Sequence, residues 1–205
     1  GADKFDKGKI IVNGKEISIK KPKDSLRSGV GYLPEDRRIQ GTFSQQDIEF
    51  NINAINLEKV MRAGILIYKK AYEQTKDYVD KLSIKIGSMY QKVSDLSGGN
   101  QQKVVIARWL CKNPDVLIFD EPTAGIDVGT KAEIYRLFNE ILNQEKGIIL
   151  ISSYLPELIG LSDRILVISN GMVAGEVERK EFSEEYLLTL AMKNIVSKEK
   201  IREAV

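Results

Sequence analysis

Leu96-Ser97-Gly98-Gly99-Asn100-Gln101-Gln102-Lys103 is the stretch against which most other features of this chain take their meaning. A Ser-Gly-Gly turn opens there onto Gln101 to Leu110, whose apolar positions suit an amphipathic helix. A helix start preceded by glycines presents free backbone N–H groups and the positive end of the helix dipole, which suits an anion. Further on, the apolar run Val116-Leu117-Ile118-Phe119 ends in Asp120-Glu121. Phosphate and metal chemistry is the expectation.

Composition narrows the classes. The 205 residues are 42% apolar and 29% charged, ordinary for a globular protein with a real core. Basic and acidic residues number 31 and 29, so no strong electrostatic footprint marks a nucleic-acid partner. Cys111 is the single cysteine, which rules out an internal disulfide and fits a buried structural thiol in a reducing compartment. No apolar run approaches a membrane span and no signal peptide leads the chain, so a membrane role is expected to go through a partner. Histidine is absent. That removes the usual general base near neutral pH and the commonest metal ligand, leaving carboxylate and oxygen-ligand chemistry.

Along the chain, Lys9 to Val12 and Lys15 to Ile19 flank Asn13-Gly14 and predict a hairpin. Pro22 to Ser28 predicts a short helix closed by Gly29, and Val30 to Leu33 a short strand ended by Pro34. Glu35 to Gln46 is polar and reads as a loop. Asp47 to Arg62 is helical but broken, and Leu66 to Ser83 is a better amphipathic helix. Ile84 to Asp95 reads as a linker into the glycine turn. Val116 to Phe119 and Gly147 to Ile151 are apolar runs expected of strands buried on both faces. Thr130 to Asn143 is helical between them, with Ile134, Leu137, Phe138 and Ile141 on one face. Pro156 to Leu161 predicts a short helix, and Arg164 to Ile168 a third strand. Asn170-Gly171 turns that strand into Met172 to Val177. Ser183 caps a helix to about Met192, and the charged tail from Lys193 is expected to be frayed or helical. Strand–helix alternation at this spacing predicts an α/β fold with a largely parallel sheet.

Asp120-Glu121 after a buried strand is the pattern of a nucleotide hydrolase. Asp120 can hold Mg²⁺ directly or through water, and Glu121 can polarise an attacking water. Apolar-apolar-Asp-Glu also arises by chance, but Pro122-Thr123-Ala124-Gly125-Ile126-Asp127 adds a turn and a third carboxylate. Taken together, Leu96 to Lys103, Val116 to Thr123 and Gly125 to Asp127 resemble the ABC-transporter ATPase family. Leu96-Ser97-Gly98-Gly99 resembles its signature loop, Val116 to Asp120 its Walker B strand, and Gly125-Ile126-Asp127 its D-loop. A narrower likeness is carried by Gly31-Tyr32-Leu33-Pro34-Glu35-Asp36-Arg37, by Asn100-Gln101-Gln102, by Gly125-Ile126-Asp127-Val128-Gly129 and by Ile151-Ser152-Ser153. These look like the C-terminal nucleotide-binding half of importer ATPases for simple sugars (ribose, galactose, xylose) and their nucleoside-importing relatives.

The resemblance implies a P-loop NTPase-like ABC ATPase core with a mainly parallel sheet, small antiparallel β hairpins and a helical subdomain. Residues 1–34 are expected to form a partial N-terminal β/core region, 35–111 the helical signature subdomain and 112–205 the α/β core. It implies Glu121 as the catalytic carboxylate and Ser153 where most of the family places a γ-phosphate-contacting histidine. A serine hydroxyl can donate a hydrogen bond but is too weak a base to share a proton with Glu121. Ser97, Gly98, Gly99, Asn100, Gln101, Asp127 and Glu35 are the implied ATP contacts, with Asp120 and Glu35 toward Mg²⁺. Glu35 stands near the position where most members carry a glutamine. The implied partners are a second nucleotide-binding domain, permease subunits and, indirectly, a solute-binding protein, with the chain peripheral at the cytoplasmic face of the membrane.

Gly-x-x-x-x-Gly-Lys-[Ser/Thr] occurs nowhere in the sequence. The family places that loop just upstream of where this chain starts, so the central P-loop strand is expected to be missing. Two expectations follow. ATP should bind weakly to the chain's own Walker site, and the remaining sheet should expose apolar surface, closed by strand rearrangement or by pairing with another chain. Two functions stay open: an ATP-hydrolysing importer subunit, or a non-catalytic module that offers its signature loop in trans. A DNA-repair or chromosome-structuring ATPase is disfavoured, because no sustained heptads occur. Asp36-Arg37-Arg38 reads as a solvated or partner-contacting loop. Trp109 and Tyr135 sit at core-like helical spacing.

Overall fold

The computed structural model describes residues 1–192, and they divide into two compact units, the first over 1–151 and the second from Ser152 onward. The expectation for the tail from Lys193 lies outside the described residues.

In the first unit, β1 (Ile10–Val12) and β2 (Lys15–Ile17) form the hairpin around Asn13-Gly14, where both residues take positive φ. The short helix α1 (Pro22–Arg27) starts on its proline and leads into β3 (Val30–Leu33). The polar stretch read as a loop contains one π-helical turn, Arg37–Gly41. Asp36 caps it, its carboxylate accepting from the N–H groups of Arg38 and Ile39 at 2.9 and 3.0 Å.

The broken helix resolves into α2 (Ile48–Asn53) and α3 (Leu57–Val60). A hairpin not expected from sequence follows, β4 (Met61–Arg62) against β5 (Ile65–Leu66). Its turn is Ala63-Gly64 with φ of 50° and 81°, and alanine gives no turn signal to read. Helix α4 (Tyr68–Lys81) therefore starts two residues later than the pattern suggested. A 3₁₀ turn at Val93–Asp95 leads into α5 (Gly98–Lys112), the most buried helix of the unit. Val104, Ile106 and Ala107 are fully buried on it and Cys111 nearly so, as a helix enclosed on most sides requires. Asn113 ends it in the left-handed conformation.

Next come β6 (Val116–Asp120), α6 (Val128–Leu142) and β7 (Gly147–Ile151). The sheet is parallel in the order β3-β6-β7, with Gly31, Leu117 and Ile148 in one row and Leu33, Phe119 and Leu150 in the next. That face is covered. Phe119 packs on Phe138 of α6 at 4.5 Å between ring centroids. A Cβ on Gly31 would lie 2.8 Å from the Trp109 ring of α5, so glycine alone lets helix and strand approach this closely.

The opposite face corrects an expectation. β7 is an edge strand, not one buried on both sides: Ile149 is 51% and Ile151 46% exposed, beside Tyr32 at 44%. A continuous apolar run records strand character without recording how many faces are covered. The expected apolar exposure is thus present, whereas no rearranged strand covers it among the described residues.

In the second unit, α7 (Leu155–Leu161) precedes β8 (Arg164–Ser169) and β9 (Met172–Glu178), an antiparallel pair around Asn170-Gly171. The third strand thus pairs in the hairpin that Asn170-Gly171 predicts, because a two-residue Asn-Gly turn returns the chain onto it directly. A 3₁₀ turn, Arg179–Glu181, leads to a helix over 184–192, capped by Ser183 through the Tyr186 N–H at 3.1 Å. Ile165, Val177, Leu187 and Leu190 form this unit's core.

Candidate functional site

The first unit gathers three loop ends: the exit of β3, the start of α5 and the exit of β6. Helix α5 begins at Gly98, earlier than the glycine-turn reading implied, with Ser97 as its N-cap residue. The Ser97 side chain makes no cap bond to the helix; instead its Oγ accepts from Asn100 Nδ2 at 3.0 Å. The N–H groups of Gly98, Gly99 and Asn100 consequently have no intrahelical acceptor. Asn100 also braces the turn from outside, accepting the Lys85 N–H at 3.0 Å. Gln101 is buried beneath the turn, donating to the Leu96 carbonyl at 3.0 Å. Ser97 is exposed, Gly98 and Asn100 are half-buried and Gly99 is buried.

At the end of β6, Asp120 shares its sheet face with Tyr32, whose hydroxyl donates to Asp120 Oδ2 at 2.8 Å. Burial, that hydrogen bond and the charges of Asp120 and Glu35 push the Tyr32 phenol up to about 12. Glu35 is exposed at the exit of β3. Its charge reaches the same phenol as that of Asp120, so the two carboxylates predicted for Mg²⁺ lie at one end of the sheet. Among the described residues no group of three or more Asp, Glu, Cys or His side chains forms a ready-made cation cage. Hard carboxylate oxygens at a strand end still suit Mg²⁺, which takes one or two protein carboxylates and completes its shell with phosphate and water.

Glu121 follows with φ of 44°, a left-handed conformation that costs a non-glycine residue of order 1 kcal/mol. Its N–H donates to the Ile151 carbonyl at 2.9 Å and its carbonyl accepts from Ala124 at 3.1 Å, which fixes the turn. Asp127 caps α6, its carboxylate accepting from the Thr130 N–H at 3.0 Å and from Thr130 Oγ1 at 2.8 Å. Those bonds hold the Asp127 carboxyl below the usual range. Stability from this cap is therefore present above the ordinary aspartate pKa and fades as pH falls through the lowered value. In thermal melts between about pH 6 and pH 2, the acid-side loss of stability is expected to be smaller in Asp127→Asn than in the parent. Equal slopes in the two proteins would contradict the cap.

Arg37, expected in a solvated or partner-contacting loop, turns inward. Its Nη1 donates to the Ala124 carbonyl at 3.1 Å, and a Cβ on Gly98 would lie 2.6 Å from its Nη2. Glu35, Asp36, Arg37, Arg38 and Ala124 line an open cleft of about 400 Å³ beside it. Ser153 belongs to the second unit and is exposed. Tyr32, Arg37 and Thr130 are the site residues that sequence reasoning did not single out. Only Tyr32 carried a signal, its place in a strand next to the proposed metal carboxylate.

The sequence model of the family described as "ABC transporter" matches residues 1–124, more than half of the chain.

The chain belongs to the ABC transporter family.

Among relatives of this ABC chain, a ribose import ATP-binding protein of Rubrobacter xylanophilus is 48% identical over 93% of the chain and 38% of its own length. A xylose import ATP-binding protein of Geobacillus kaustophilus is 43% identical over 90% of the chain and 37% of its own length. The galactose/methyl galactoside import ATP-binding protein of Fusobacterium nucleatum is 46% identical, with 91% and 37% covered. The chain thus spans roughly two fifths of the length of the curated relatives it matches. Among solved structures, a dimeric ATP-binding cassette in a post-hydrolysis state with ADP and Pi aligns with a TM-score of 0.70 at 19% identity, over 88% of this chain and 77% of the other. That likeness speaks for the ABC fold alone.

Proposed function

We propose that this ABC chain serves in the ATP-binding subunit of an importer for a simple sugar, coupling ATP hydrolysis to transport. The observation that carries the reading is the start of α5, where open N–H groups at Gly98 and Gly99 form a ready anion site on a 15-residue helix. Its companion is Asp120-Glu121 at the end of the central strand. Ribose, xylose and galactose import by the relatives supports the solute class.

In this reading Ser97, Gly98, Gly99 and Asn100 receive a γ-phosphate, and Gln101 holds the turn from below. Bound Mg²⁺ would neutralise phosphate charge, with Asp120 and Glu35 as the residues to hold it. Tyr32 orients Asp120 through one carboxylate oxygen and leaves the other for the cation. Glu121 positions the attacking water and takes its proton, and Asp127 caps α6 at the end of the loop that follows. No phosphate-cradling Gly-x-x-x-x-Gly-Lys-[Ser/Thr] occurs within these 205 residues, so the nucleotide that meets Ser97 is one cradled outside them. The proposed partners are therefore a nucleotide-binding domain that carries that loop, permease subunits and, through them, a solute-binding protein. No helix among the described residues is long and apolar enough to cross a membrane. A permease at the cytoplasmic face of the membrane is the proposed place of attachment.

Cross-linking with azido-ATP tests the reading. Peptides containing 97–101 are expected to be labelled when a P-loop-bearing ABC domain from a sugar importer is present with Mg²⁺, and not without it. Equal labelling of the chain alone, or none in the mixture, would overturn it.

A further inference from the structure

The start of α5 and the loop after Glu121 are fastened to each other at two points, by residues with no part in the roles assigned above. Arg37 reaches from the β3 exit to donate Nη1 to the Ala124 carbonyl at 3.1 Å. The other arm of the same guanidinium, Nη2, lies so close to Gly98 that a Cβ there would come within 2.6 Å. One planar fork thus touches the first residue of α5 and the first half of the loop. The second point is Thr130. A Cβ on Gly99 would lie 2.7 Å from Thr130 Cγ2 and 3.0 Å from its Oγ1, so the bare glycine backbone packs against this side chain. The same Oγ1 donates to Asp127 at 2.8 Å. One turn further along both helices, Lys103 pairs with Glu133 at 2.6 Å, fixing the register of α5 against α6.

We propose that Arg37 and Thr130 are positioning residues that clasp the Ser97–Asn100 turn to the Ala124–Asp127 loop of the same chain. The two then move as a single body. An anion captured at α5 from an opposing domain displaces the loop that follows Glu121, so each site feels the occupancy of the other. Two glycines in succession are needed because each faces a different half of the clasp: Gly98 the guanidinium, Gly99 the threonine. Arginine is needed for the first point because a lysine ammonium cannot span a carbonyl and a neighbouring backbone with one rigid plane. The mechanistic consequence rests on the reading of Ser97–Gly99 as a nucleotide contact, whereas the clasp is a property of the protein without nucleotide.

Hydrogen exchange on the nucleotide-free protein tests it. The amides of Ala124 and Ile126 report on the loop, since they donate to Glu121 and Thr123 at 3.1 and 3.3 Å. Gly98→Ala pushes the guanidinium away and is expected to speed exchange at both amides about tenfold, with the amides of β6 unchanged. In an Arg37→Lys background, where the clasp is already open, Gly98→Ala is expected to add less than about twofold. An equal effect of Gly98→Ala in both backgrounds, or no effect on the loop in either, overturns the clasp. Thr130→Ser provides an arm that keeps the Asp127 cap and removes only the methyl against Gly99. It is expected to speed exchange at the Gln101 amide, which donates to the Ser97 carbonyl at 2.9 Å, at least about threefold while the cap amide of Thr130 stays protected. Unchanged exchange at the Gln101 amide in this variant overturns the second fastening, whatever the folding of the arginine variants. Because no nucleotide enters these measurements, a failed ATP cross-link and a failed clasp are separate results.

Discussion

Replacing Arg108 by alanine is expected to destabilise the first unit by about 3–5 kcal/mol, the largest loss for any single side chain here. Arg108 is buried, with 7% exposure, and among the described residues no carboxylate forms a salt bridge with it. Three backbone and amide oxygens take its protons instead: the Asn51 carbonyl from Nε at 2.6 Å, the Gly41 carbonyl from Nη1 at 2.8 Å and Asn51 Oδ1 from Nη2 at 2.8 Å. The Phe43 ring lies over the guanidinium at 5.5 Å. Burial lowers its pKa to about 10, so the charge persists at neutral pH. Removing the side chain leaves two carbonyls buried without donors and opens a cavity between α5, α2 and the π-helical turn. Arg108→Met fills the volume but not the bonds, and is expected to recover less than half of the loss. Urea unfolding followed by fluorescence of the single tryptophan, Trp109, isolates this unit's transition. A loss below about 1 kcal/mol would mean that the three bonds contribute little net stability.

On the proposed role of Glu121 as the base, Glu121→Gln is expected to lower ATP turnover of the assembled importer by at least about a hundredfold. Glutamine keeps the shape, the left-handed backbone and both turn bonds, and gives up only the ability to take a proton from water. Nucleotide binding should survive, so trapped ATP is expected to accumulate while phosphate release stops. Turnover within about threefold of the parent would remove Glu121 from the chemistry and leave the turn as its only role.

Local chemistry made much of the fold readable. Asn13-Gly14 and Asn170-Gly171 set two hairpins because both residues of each turn accept positive φ. Helix periods located α5 and α6, and the apolar runs located β6 and β7. What stayed hidden is tertiary. Nothing in Gly147–Ile151 tells that one face has no cover, since isoleucine at an edge and isoleucine in a core are spelled alike. Arg37 sits in a polar run and reads as solvated, yet its partner Ala124 is 87 residues away. Tyr32 and Asp120, 88 residues apart, meet only because β3 and β6 pair in parallel register. The Asp120-Glu121 pair, by contrast, was visible because strand end and carboxylates are contiguous in the chain. Gln101 and Asn100 were legible as members of the turn but not as its internal braces, which depend on where Leu96 and Lys85 lie.

The backbone at Glu121 bears on how this position would drift. Left-handed φ favours glycine or asparagine, so the peptide geometry alone would replace the glutamate over generations of neutral change. A lineage in which the site still works must keep selecting the carboxylate against that pull. Where the work has lapsed, this residue should be among the first to vary, and its replacement by glycine or asparagine in natural copies would be a molecular record of idleness.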